Sequence, residues 1–385
     1  MGHVHGHHEP LLQAKYPPQA ALVVSVLLVV CALLVRRRFG TTTTLSTARE
    51  QLLSKLPSPP RRLPIIGHLH LIGSLPHVSL RDLAARHGRH GLMLLHLGAV
   101  PTLVVSSPSA AQAVLRTQDH IFASRAYSPA TDILFYGSTG IAFSPYGQHW
   151  RQVKKIVTTH LLTNKKVRSY RHAREHEVMF EAGTDTSFIV LEYAMAHLMQ
   201  TPCLMNKLQT EVRSTIPKGK EIVTEDELNS LAYLKAVIKE TLRLHMPAPL
   251  LLPHLSMADC NIEGYTIPSG TRAIVNSWAL ARDPSYWENA NEFMPERFME
   301  GGSAAAMDNK GNDFQYLPFG AGRRMCPGIN FASSTIEVML VNLVYHFNWE
   351  LPVELSKKGI DMTELFGVTV RRMEKLLLVP IAPQD

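Results

Sequence analysis

Apolar residues follow two periods along this chain. Leu92 to Leu97 and Thr102 to Ser106 are β-rich runs joined by Gly98, Ala99, Val100 and Pro101, a pattern that predicts a hairpin. Around them the spacing is helical. Ser79 to His87 reads as one helix, Ser107 or Ser109 can cap another through Arg116, and Gly147 to His160 reads as a third. The second half is mostly helical. One helix is expected over roughly Glu177 to Met199, and another from about Glu225 to Leu244. The latter carries Leu228, Leu231, Leu234, Val237 and Ile238 at apolar spacing, and Pro247 and Pro249 end it. Short β runs follow around Cys260 to Ile267 and Ala273 to Val275. A helix of about 18 residues follows Cys326, and β-rich Gly367 to Val370 and Lys375 to Ile381 close the chain. The predicted class is mainly α with a minor β part, without internal repeats.

Near the N-terminus the pattern changes. Ala20 to Val35 is an uncharged apolar run of 16 residues, short against the roughly 20 that a spanning helix needs. Arg36, Arg37 and Arg38 follow it, and arginines there put the C-terminal side of the run in the cytosol. A cleaved signal peptide carries its positive charge before the apolar run, so the order here favours a signal anchor. The expected division is a lumenal tail over 1–19, a transmembrane signal anchor over 20–35, and a basic linker with a proline-rich spacer over 36–68. Pro57, Pro59, Pro60 and Pro64 hold that spacer extended. The histidines of the tail, His3, His5, His7 and His8, read as part of a flexible polar segment, since no second ligand cluster fixes a metal geometry.

Composition adds limits. The 385 residues are 45% hydrophobic and 18% charged, an ordinary globular balance. The formal net charge is +7, yet no basic stripe is interleaved with aromatics, so nucleic acid is not an expected partner. The N-terminal arginines suit an anionic membrane surface or an acidic protein instead. Cys31, Cys203, Cys260 and Cys326 are widely spaced, with no CxxC pair and no zinc spacing.

One cysteine stands in a special place. FGAGRRMCPG, Phe319 to Gly328, sets Cys326 in a glycine-rich loop just before a long apolar helix. The helix start offers unpaired N–H groups and the positive end of the dipole, which favour a thiolate. Pro327 suits a first helical position. Gly320, Gly322 and Gly328 allow close approach to a flat macrocycle, and Arg324 can reach a propionate. A thiolate held this way is a ligand for haem iron. The alternative is a buried structural cysteine.

The loop resembles the haem-binding loop of the cytochrome P-450 superfamily, and three further segments agree in order. Glu240 and Arg243 form ExxR on one helix face, and PERF supplies Arg297. The resemblance implies that these three lock the core beneath the haem loop. AGTDTS, Ala182 to Ser187, is similar to the oxygen-binding stretch of the distal helix. There Thr186 can bond back to the Ala182 carbonyl and open a groove, and Thr186 and Asp185 would relay protons. Trp150 and Lys154, at i and i+4, stand where the family places Trp and Arg against a propionate. His254 stands where many relatives have a propionate-binding arginine. The implied cofactor-binding set is Cys326, Arg324, Phe319, Gly322, Gly328, Trp150, Lys154 and His254, around haem b.

The anchor, spacer and motif wording resemble the plant microsomal A-type group. Within it, the chain is similar to grass enzymes that hydroxylate indole-derived rings in benzoxazinoid synthesis. The resemblance implies the cytochrome P-450 fold behind an N-terminal anchor helix. It also implies a haem-thiolate catalytic domain over 69–385 on the cytosolic face of the endoplasmic reticulum. The implied reaction is oxygen insertion into a small apolar substrate, with electrons from NADPH through a membrane reductase. The spacing departs from the pattern in one interval. Trp150 to Ala182 is 32 residues, where the family has several helices, whereas Glu240 to Cys326, at 86 residues, agrees with it. The expectation is an internal block missing near Val178 and Met179, from exon skipping or an erroneous gene model. Two alternatives follow: a non-catalytic remnant that at most binds haem or the reductase, and an isomerase or dehydratase. The intact Thr186 argues against the latter.

Overall fold

The computed structural model describes residues 44–135, 137–171 and 185–383. The expected tail, the anchor at 20–35, the junction near 178–179 and the first residues of AGTDTS lie outside those residues. Among the described residues no helix is long and apolar enough to cross a membrane. The chain divides into two units at residue 52, and the second, Leu53–Asp385, carries everything described below.

That unit begins earlier than the expected residue 69. Leu53 and Leu56 are buried, and the Pro57 carbonyl accepts from the Leu94 amide at 2.7 Å. Gly67 bridges to Leu97, and His68 Nδ1 accepts from the His96 amide at 3.0 Å. The proline-rich segment is therefore a strap built into the domain. Its prolines lack N–H donors, but the Pro57 carbonyl still accepts from the Leu94 amide.

Helix α1 (Pro76–His87) leads into strands β1 (Leu92–Leu97) and β2 (Val100–Val105), which pair antiparallel with Leu97 opposite Val100. The turn is tighter than expected: only Gly98 and Ala99 remain outside the strands, with Gly98 at φ +65°. Pro101 is tolerated because it stands at the strand's beginning. Ser107 caps the next helix by accepting from the Ala110 amide at 3.3 Å. Helix α2 (Gln148–Ile156) passes into a π turn over Val157–Leu161, where Thr158 bonds back to the Lys154 carbonyl at 2.7 Å.

The helical layer contains α3 (Asp185–Gln200), α4 (Pro202–Thr215), α5 (Ala232–Leu244) and α6 (Ile329–His346). They share one core, with Ala194, Leu208, Leu234 and Leu340 among its fully buried members. Helix α4 was not expected, although Met205, Leu208 and Val212 follow helical spacing behind Pro202. Helix α5 starts at Ala232, later than the expected Glu225. The Glu211 carboxylate on α4 accepts from the Tyr233 and Leu234 amides at 2.7 and 2.9 Å. The cap comes from another helix, so no local signal marks it.

Strands β3 (His254–Leu255), β4 (Cys260–Ile262), β5 (Tyr265–Ile267) and β6 (Arg272–Val275) follow α5. The main sheet has the order β1-β2-β6-β3, with β2 and β6 parallel and Thr102 opposite Arg272. Beyond α6, β7 (Asn348–Glu350) pairs with the last strand, β10 (Val379–Ile381). Between them β8 (Glu364–Phe366) and β9 (Val370–Arg372) form a hairpin.

Candidate active site

The buried floor comes first. Glu240 and Arg243 have no solvent exposure, and Arg243 grips the carboxylate with Nε and Nη2 at 2.7 and 2.8 Å. Arg297 reaches the same carboxylate at 3.3 Å, and the Met294 amide adds a bond at 2.8 Å. Arg243 Nη1 donates to the carbonyls of Ala281 and Ala290, both at 2.7 Å. One buried anion thus binds α5 to the PERF turn, and every charge has several partners. None of the three side chains faces the cavity described next.

The cysteine loop closes on itself: the Cys326 amide donates to the Phe319 carbonyl at 2.9 Å. Helix α6 starts at Ile329 with Gly328 as its cap, so Pro327 lies just outside the helix. Gly320 (φ +71°) and Gly328 line the cavity, as does Phe319. Gly322 does not. Its φ is +66°, and a Cβ there would lie 1.8 Å from the Leu115 carbonyl oxygen, so its glycine serves packing against the protein. The thiol also departs from expectation: burial pushes Cys326 up, and the Gly328 amide offsets only part of this. The helix start alone leaves it a thiol; a bound metal cation is what turns such a group into a thiolate.

Cys326 opens into a cavity of about 490 Å³, within the usual range for ligand sites. Its walls carry Arg125, Lys154 and Arg324, with Trp150 and His254, and no carboxylate among the described residues. Arg324 donates to the carbonyls of Ala123, Ile141 and Ser144, and lies 4.1 Å from the Trp150 ring centre. The Trp150 N–H is spent on the Ile141 carbonyl at 2.9 Å, and Lys154 bonds the Arg323 carbonyl. Burial, followed by Arg324 and Arg323, holds Lys154 below its ordinary value.

Arg125 was missed in the sequence. It is buried and donates to the carbonyls of Ala142, Leu252 and Pro253 at 3.1, 2.7 and 2.9 Å. Burial and neighbouring Arg324 bring it down to about 9. His254 differs from its expected role. Its Nδ1 bonds the Phe122 carbonyl at 2.7 Å, so Nδ1 carries the proton and a neutral ring offers only an acceptor at Nε2. Burial, then Arg125, lowers it to about 3. The cation at this wall is Arg125.

Thr186 lines the cavity near the start of α3 together with buried Ser187, which was not anticipated; Asp185 is exposed and does not line it. The expected bond from Thr186 to the Ala182 carbonyl lies outside the described residues. Val368 and Thr369, at the tip of the β8–β9 hairpin, complete the wall.

The cytochrome P450 family matches residues 57–179 and 172–377, which together take in the loop, the buried floor and the cavity. The chain belongs to the cytochrome P450 family. An indole-2-monooxygenase from Zea mays is 43% identical over 477 aligned positions, covering 86% of this chain and 88% of the relative. A 3-hydroxyindolin-2-one monooxygenase from Zea mays is 40% identical, covering 85% and 89%. A zebrafish cytochrome P450 solved with progesterone superposes with a TM-score of 0.69 at 20% identity, over 81% of this chain and all of that one. The protein is a haem-thiolate monooxygenase, served by a redox partner and acting on a small molecule. The cavity fits the haem by its donor set. One thiol opens into a largely apolar space, and among the described residues the three cations on its wall have no acidic partner there, as a group bearing two carboxylates requires.

Proposed function

We propose that this chain hydroxylates a small indole-derived ring, and that Cys326 is the residue that would hold the haem iron. The observation that carries this reading is the convergence of one cysteine and three cations on one cavity that no carboxylate lines among the described residues. Arg125, Arg324 and Lys154 neutralise the propionates, and Trp150 stacks against Arg324 to keep that guanidinium in place. The bound haem supplies dioxygen activation. Thr186 presents a hydroxyl to the cavity and Asp185 stands beside it in water, an order that lets protons pass from solvent to the Thr186 oxygen. Phe319, Leu251 and Ile336 are apolar lining that suits a flat ring system. The indole class rests on the maize relatives.

The electron donor in this reading is an NADPH-dependent reductase of the endoplasmic reticulum membrane. The apolar run at 20–35 followed by three arginines supports anchoring there, with the catalytic unit in the cytosol. An internal block is missing near 178–179. Two facts support this: the family matches in two pieces that meet at 172–179, and the alignment to the maize relative has 477 positions, more than the 385 residues of this chain.

The test is the carbon-monoxide difference spectrum of the reduced, haem-loaded full chain, followed by indole turnover with NADPH and reductase under labelled dioxygen. The expected result is a thiolate-type band and one labelled oxygen in the product. A spectrum without that band overturns the ligand assignment. A normal band without indole consumption overturns the substrate reading.

A further inference from the structure

The β8–β9 hairpin supplies the last wall of the cavity, and charges outside the haem site hold its root. Glu364 on β8 stands opposite Arg372 on β9. Glu364 Oε2 accepts from His77 Nε2 of α1 at 2.8 Å, and its Oε1 faces His245 Nδ1, just beyond α5, at 3.6 Å. His245 stacks on Tyr193 of α3 with ring centres 3.9 Å apart, and its Nε2 meets His197 Nε2 at 2.9 Å. The proton order is consistent along this chain. His197 donates to His245 Nε2, His245 directs Nδ1–H at the carboxylate, and His77 donates from the other side. Burial alone would raise Glu364, but the facing rings of His245 and His77 outweigh it and bring the group to about 2. It is a half-buried anion set among rings.

Arg372 is anchored as firmly. It donates to the Asp361 carbonyl at 3.0 and 2.6 Å and lies 3.5 Å from Glu192 of α3. From this root the hairpin runs to the cavity. The Val370 amide donates to the Pro247 carbonyl at 2.9 Å, Gly367 and Thr369 close the turn, and Val368 and Thr369 enter the wall that Pro247 and Ala248 share. Only three residues, Gly367 to Thr369, separate the two strands.

We propose that Glu364, held by His77 and His245, is a positioning residue that fixes where Val368 and Thr369 stand in the cavity and so sets the fit of the substrate. The proposal rests on the reading of that cavity as the haem and substrate site. Removing the charge of Glu364 weakens its charge-assisted bond to His77 and takes away the anion that His245 faces, which loosens the root; Val368 and Thr369 then lose a fixed place against the ring.

The experiment uses the haem-loaded full chain with Glu364→Gln, with His77→Asn as an independent break of the same contact, and with Val368→Ala at the tip. Amide exchange over 364–372 is expected to rise on the order of tenfold in both root variants, with exchange in α6 unchanged. The dissociation constant for indole, read from the haem spectrum, rises by a similar factor while the thiolate band keeps its amplitude. Combining Glu364→Gln with Val368→Ala then costs less affinity than the two separate losses together. Unchanged hairpin exchange in both root variants overturns the proposal, as do additive losses. If indole leaves the wild-type spectrum unchanged, the substrate reading fails, and hairpin exchange alone then decides whether Glu364 fixes the tip.

Discussion

Arg243 holds Glu240 through two parallel bonds, 2.7 and 2.8 Å long, with both side chains sealed from solvent. Such a pair is dangerous to break on one side only. Glu240→Ala leaves Arg243 and Arg297 buried with an unanswered charge, and is expected to cost about 3–5 kcal/mol of folding stability. Urea unfolding measures it, and Arg243→Lys is expected to lose most of the same amount because lysine cannot reproduce the fork.

Cys326→Ser removes the sulfur and leaves the loop's own bond, which uses the Cys326 amide, intact. The apoprotein should unfold within about 1 kcal/mol of wild type by the same urea assay. Its reduced haem complex should lack the thiolate-type band entirely.

Arg125→Leu takes one of three cations from the cavity and frees three backbone carbonyls, those of Ala142, Leu252 and Pro253. Haem retention, followed by transfer to apomyoglobin, is expected to weaken by about ten- to a hundredfold, the worth of a charge-assisted bond. His254→Leu, which removes no cation at neutral pH, is expected to weaken retention less.

Acid should destabilise the apoprotein well above the range of ordinary carboxylates. Burial lowers His96 and His245 to about 4, and His197 and His254 to about 3. Each folded value lies below 6.5, so the unfolded chain binds protons first as the pH falls. Stability is full above about pH 6.5 and is lost progressively towards pH 4, with a slope of at most roughly 1.4 kcal/mol per pH unit for each histidine. Chemical unfolding at pH 7, 6 and 5 measures this slope; a flat profile contradicts it.

Local chemistry was legible in the sequence, and distant chemistry was not. The cysteine loop, the Glu240–Arg243 pair and α6 are encoded within a few residues, and each stands where its spacing placed it. Arg125 has no such signature, because the carbonyls that hold it come from 142, 252 and 253. Gly322 looked like a glycine for a cofactor and serves Leu115 instead, a neighbour more than 200 positions away. His254 occupied the expected place, yet its tautomer depends on the Phe122 carbonyl. The start of α5 was misplaced for the same reason, since Glu211 caps it from another helix.

The parallel pairing of Thr102 with Arg272 has a consequence for how the protein is made. Strand β2, complete at Val105, cannot gain that neighbour until residue 272 has left the ribosome, roughly 8 to 35 seconds later at ordinary elongation rates. Through that interval one side of β2 is an open edge that any other nascent strand could join. Yield of the folded protein should therefore depend on a chaperone that covers the first hairpin while the rest of the chain is still being translated.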